Sequence, residues 1–100
     1  MAMTRQELID YCLTFPDAYE DYPFDDATPL LRRRVNRKGF ALFINVHGTE
    51  CINLKCHPDR AELYRLVYQD VTPGFHMNKT HWNTIRIGGD VPDDELCAMI

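Results

Sequence analysis

Residues 30–56, LLRRRVNRKGFALFINVHGTECINLKC, decide the fold. Three apolar-containing runs, 30–35, 40–46 and 51–56, are separated by Asn36-Arg37-Lys38-Gly39 and by His47-Gly48-Thr49. Asn and Gly tolerate the left-handed backbone that tight hairpins need, so both spacers carry hairpin turn chemistry. Short hairpins leave adjacent strands antiparallel, and the stretch predicts a three-stranded meander. A further β-branched run at 83–87, ended by Gly88-Gly89, supplies a fourth strand.

Helices flank the meander. Thr4-Arg5-Gln6-Glu7 is a capping box, after which Leu8, Ile9, Cys12 and Phe15 recur on one helical face until Pro16 stops the helix. Pro58 suits the first helical position and Asp59 and Glu62 favour the positive end of the dipole. Leu63, Leu66 and Val67 then form the expected buried stripe of a helix reaching about Asp70. Pro92, followed by Asp93, Asp94 and Glu95, opens a last helix with Leu96, Met99 and Ile100 inward. Residues 17–26 read as an acidic loop pinned to the core by Tyr19, Tyr22 and Phe24. The expected architecture is α+β, an antiparallel sheet of about four strands with helices packed on one face.

One hundred residues supply one core, so 1–100 is read as a single domain. No apolar run approaches the roughly 20 residues that span a bilayer, and residues 1–10 lack the apolar segment of a secretory signal. A cytoplasmic monomer without membrane association is expected. Four cysteines would then be free thiols. Cys51 and Cys56, five apart on one strand, point to opposite faces, so neither a zinc site nor any other metal or cofactor is expected.

The net charge of −4 is unevenly distributed. Residues 1–26 hold one base and seven acids, residues 27–89 ten bases and four acids, and residues 90–100 four acids. Strand parity sharpens that division: if Leu31, Leu42, Ile44, Ile52, Leu54, Ile85 and Ile87 face the helices, the other face shows Arg32, Arg34, Phe43, Asn45, Asn53, Lys55, Thr84 and Arg86. Four cations and no carboxylate on one face, with an aromatic and amides between them, suit phosphate binding and base stacking. Lys79 and the hairpin tip Arg37-Lys38 extend the patch. The plain alternative is that these cations pair with the acidic ends as surface salt bridges of little energy.

A second candidate is the loop that precedes the fourth strand, where His76, Asn78, Lys79, His81 and Trp82 gather. These residues could bind a small anionic ligand, with or without catalysis, or could tie the loop to the core with Trp82 as anchor. Serine is absent from the chain, and a Cys–His pair would need Cys51 or Cys56 brought to His76 or His81.

The run His76-Met77-Asn78-Lys79-x-His81-Trp82-Asn83-Thr84 also carries a resemblance. With Ile52-Asn53-Leu54-Lys55-Cys56 and Pro58 before it, and Gly88 and Val91-Pro92-Asp93 after it, it resembles the MmcQ/YjbR family of small bacterial proteins. The similarity extends from the helix at Thr4 to Asp93. It implies a CyaY-like, double-wing fold and a non-enzymatic DNA-binding role. Family members continue into a further C-terminal segment, so a truncated C-terminus is expected. The frataxin-like comparison also raises iron binding by Glu20, Asp21, Asp25 and Asp26, but their Pro-containing loop reads more simply as a solvated one. A protein-interaction role for that acidic loop is the third reading.

Overall fold

In the computed structural model, which describes residues 2–100, the meander is the centre of a larger sheet. The elements are α1 (Arg5–Leu13), β1 (Ala18–Asp21), β2 (Leu30–Arg33), β3 (Gly39–Val46), β4 (Thr49–Lys55), α2 (Pro58–Val67), β5 (Val71–Pro73), β6 (Trp82–Arg86) and α3 (Asp93–Met99). Six strands, not about four, form one antiparallel sheet in the order β1-β2-β3-β4-β6-β5. The two strands missing from the expectation are its edges. β1 lies within the run read as an acidic loop, and β5 is three residues ending in Pro73. Charge and proline disguise a strand in sequence, yet they are the features that protect an exposed edge from pairing with another chain.

The capping box of α1 forms on both sides, Thr4 Oγ1 accepting from the Glu7 amide and the Glu7 carboxylate accepting from the Thr4 amide. Its buried Leu8, Ile9 and Cys12 meet Leu31, Ala41, Phe43, Ile52 and Ile85 from the sheet and Leu96 from α3 in one apolar cluster.

Parity in β3 differs from expectation. His47 and Gly48, with φ of 51° and 86°, make a two-residue turn that pairs Val46 with Thr49 and hence Phe43 with Ile52 and Ala41 with Leu54. Directly paired residues share a face, so Ala41 and Phe43 point to the helices while Leu42 and Ile44 point away. Phe43 is fully buried in the core. Arg33 keeps the parity of Leu31, opposite buried Ala18, but lies at the end of the sheet, where it is exposed, pairs with Asp17 and sits beside Phe15 and Phe40. The β2–β3 register slips between Leu31 and Arg32, where Arg32 pairs with Gly39 and Phe40 becomes the extra residue of a bulge in β3.

α2 is the other correction. Leu63, Leu66 and Val67 lie on its solvent side, Leu66 at 85% exposure, and the helix ends at Val67. Ala61 is buried, Tyr64 and Tyr68 pack against the core, and Arg65 reaches inward. Ala61, Tyr64 and Arg65 have the i, i+3, i+4 spacing of one helical face, Tyr68 follows as the extended C-cap, and the two tyrosines offer more contact area there than aliphatic side chains would. The acidic segment is also less anchored than expected, since Tyr22 and Phe24 are exposed. Pro92 is the cap of α3 rather than its first residue. Among the described residues no helix is long and apolar enough to cross a membrane.

Candidate functional site

The sheet face away from the helices carries a cationic row at one end. Register links Tyr19 to Arg32, Arg32 to Gly39, and Lys55 to Trp82. Lys55 follows inward-facing Leu54, and Trp82 precedes Asn83, whose amide donates to the Ala61 carbonyl of α2. Both therefore face outward, on the side of Tyr19 and Arg32. Beyond the strand ends the β2–β3 hairpin adds Arg34 and Arg37. Tyr19, Asp21, Arg32, Arg34 and Arg37 line an open concavity of about 610 Å³.

Hydrogen bonding fixes this corner. Arg32 Nε donates to Asp21 Oδ2 at 2.7 Å and Arg32 Nη1 to the Arg37 carbonyl at 2.8 Å, which ties the strand to its own hairpin. The Arg34 guanidinium lies over the Tyr19 ring, 5.1 Å from its centroid, within cation–π range. Arg33 pairs with Asp17 at 3.0 Å. Two of the arginines thus take carboxylate partners, as the salt-bridge alternative requires. Among the described residues Arg34, Arg37, Lys38 and Lys55 form no ion pair with a carboxylate. An anion approaching this end meets uncompensated charge on a well-held backbone.

Other candidates lie elsewhere. Phe43, buried against the helices, has no ring face free for a base. Arg86 sits four residues along β6 from Trp82, roughly 13 Å away, beside Arg5 and Glu50. Lys79 Nζ donates to the Gly74 carbonyl at 3.0 Å, so its charge is held against its own loop.

The polar loop is anchored by side chains that the sequence concealed. Thr84 Oγ1 accepts from the Phe75 amide at 2.8 Å and donates to Asn53 Oδ1, while Asn53 Nδ2 donates to the Phe75 carbonyl at 3.2 Å. Arg65 of α2 donates to Asn83 Oδ1 at 2.6 Å and to the carbonyls of Lys79 and Trp82. Asn53, Asn83 and Thr84 are buried, and no buried side-chain polar atom among the described residues lacks a partner. Asn78 caps its own turn by accepting from the Thr80 amide. His76, at φ 57°, stacks edge-on against Phe75 with ring centroids 4.1 Å apart. It shares an apolar cleft of about 290 Å³ with Phe24, Leu42, Ile44 and Met77, not with His81 or Lys79. The loop's candidates are thus divided between a cleft and a turn. Of the residues that matter here, Arg65 had no local signal beyond its type, and Tyr19 read as a core anchor rather than as part of an outward face.

The cysteines are poorly suited to nucleophilic work. Burial pushes the Cys12 thiol up to about 12, and burial likewise raises Cys51, Cys56 and Cys97. At neutral pH all four are protonated, and the thiolate is the reactive form. Among the described residues no group of three or more His, Cys, Asp or Glu is disposed to hold a metal ion.

Comparison with known proteins points in one direction. The YjbR family profile matches residues 13–100. Uncharacterized protein YjbR of Escherichia coli K12 is 34% identical over 99 residues, covering 98% of this chain and 81% of the relative. Uncharacterized protein YyaQ of Bacillus subtilis is 28% identical over 110 residues, covering 98% and 92%. A crystal structure of a Pseudomonas syringae protein superposes with a TM-score of 0.87 at 27% identity, covering 97% of this chain and 92% of that one.

Proposed function

Since the chain belongs to the YjbR family and shares its α+β architecture with the solved Pseudomonas syringae protein, we propose that it is a non-enzymatic nucleic-acid-binding domain that grips phosphates with the cationic end of its sheet. The observation that carries this reading is the convergence of Arg32, Arg34 and Arg37 on one concavity, with Lys55 on the same face at the same end of the sheet. Guanidinium groups match phosphate oxygens in a fork, and those of Arg34 and Arg37 are free to do so. In this reading the β2–β3 hairpin and the loop of residues 74–81 are the two wings that the CyaY-like description implies. The domain would act as a monomer in the cytoplasm, with DNA as the first partner to test. Arg86 and Phe43 stand outside the proposed surface.

Phosphate contacts impose a steep salt dependence. Anisotropy of a labelled duplex of about 20 base pairs, and of one of its strands, at low and moderate salt tests the reading. Binding should weaken at least tenfold between the two conditions, be lost in Arg34→Glu/Arg37→Glu, and persist in Arg86→Glu. Flat titrations at low salt with both oligonucleotides would remove it.

A further inference from the structure

The order of side chains across the cationic end contains more than charge. From β1 to β6 the outward positions at this end are Tyr19 paired with Arg32, Gly39 opposite Arg32, and Lys55 paired with Trp82, with the bulge at Phe40 lying between Gly39 and Lys55. An aromatic ring closes the row at each end and two cations stand inside it, with a glycine between them. Four strand spacings of about 4.8 Å separate the rings, so the row is roughly 19 Å long. That length is on the scale of the shortest single-strand sites, about four nucleotides. Both rings are half-buried, which holds them still while leaving part of each accessible.

We infer that this row is a track for single-stranded nucleic acid, in which Tyr19 with its overlying Arg34 and the Trp82 indole stack bases, and Arg32 and Lys55 hold the backbone between them. The inference rests on the proposed nucleic-acid reading and specifies its substrate. A base has an open π-face only when it is out of a duplex, so terminal aromatic platforms reward a single strand. The helices lie on the opposite face of the sheet, and the exposed residues of α2 are Leu63, Leu66 and Val67 with one base, Arg60, against Asp59 and Glu62, so no basic helix is offered to a major groove. Arg34 over Tyr19 does not block the platform, because a guanidinium plane itself stacks on bases. The Leu30 side chain packs over Gly39, so a Cβ there would come within 2.7 Å of Leu30 Cδ1 and packing requires the glycine.

Trp82 is the chain's one tryptophan and reports its own stacking. Titration of the protein with oligothymidine, oligouridine and a duplex of equal length, followed by both tryptophan emission and ligand anisotropy, makes the test. Single strands should bind about tenfold or more tighter than duplex and quench Trp82 emission. Tyr19→Leu and Trp82→Leu should each weaken single-strand binding about tenfold, with circular dichroism confirming the fold, while Tyr19→Phe should bind as wild type. Duplex binding as tight as single-strand binding, or unquenched Trp82 with normal binding by the leucine variants, would overturn the track and leave the nucleic-acid reading intact. Failure of every oligonucleotide to bind at low salt would remove both.

Discussion

Phe43 shows how one residue of register changes a functional reading. With Ile52 paired opposite it, the ring is wholly inside, so Phe43→Ala should cost about 3–5 kcal/mol by urea unfolding, a large part of a domain's usual margin. A cost below about 1 kcal/mol would return the ring to the surface. The signal for the inward position was present in His47-Gly48: a two-residue turn fixes which residues pair, whereas counting Thr49 as part of the turn shifts the register and exchanges the faces. Cys12 makes a second case. Burial pushes its folded pKa up to about 12 from a thiol's ordinary 9.0, so below pH 9.0 the thiol is neutral in both states and its burial stabilises fully. Between pH 9.0 and about 12 the unfolded chain ionises first and stability falls. Urea midpoints across that alkaline range should decline less steeply for Cys12→Ala than for wild type; parallel declines would deny the thiol this role.

Among elements, the loop of residues 74–81 depends on partners brought in from β4, β6 and α2. Thr84→Val keeps the shape but strands the Phe75 amide and one acceptor position of Asn53. The expected cost is about 1–3 kcal/mol, with faster hydrogen exchange at the Phe75 amide as the local sign; unchanged exchange would show that the loop is held by other contacts. That arrangement explains why the loop looked like a site in sequence. It is a long hairpin loop between β5 and β6, and its backbone groups need side-chain partners, which Lys79 and Asn78 supply from within and Asn53, Thr84 and Arg65 from outside. Helix starts and the capping box are local bargains between neighbouring residues, and they were legible. The inward face of α2 was not, since Tyr64 and Tyr68 compete with Leu63, Leu66 and Val67 for the same periodicity and only the position of β5 and β6 decides between them.

Across the whole molecule, charge is sorted by position in the sheet rather than by position in the chain alone. Asp25 and Asp26 are exposed and precede Leu30, while Arg34 and Arg37 lie beyond the other end of β2. Asp25→Asn/Asp26→Asn should therefore raise low-salt oligonucleotide affinity less than tenfold and leave moderate-salt affinity unchanged, because exposed charges about a Debye length apart are screened. Anisotropy at both salts checks this, and a large gain at moderate salt would place the acidic loop within the binding surface. By itself the sequence determined the meander, the helix starts, the family and the cationic middle of the chain, because turn chemistry, capping and composition act between near neighbours. Only the tertiary structure decided the edge strands, the faces of β3 and α2, and which cations meet at one end. Those follow from strand register and from burial against distant elements, and neither is written in any one segment.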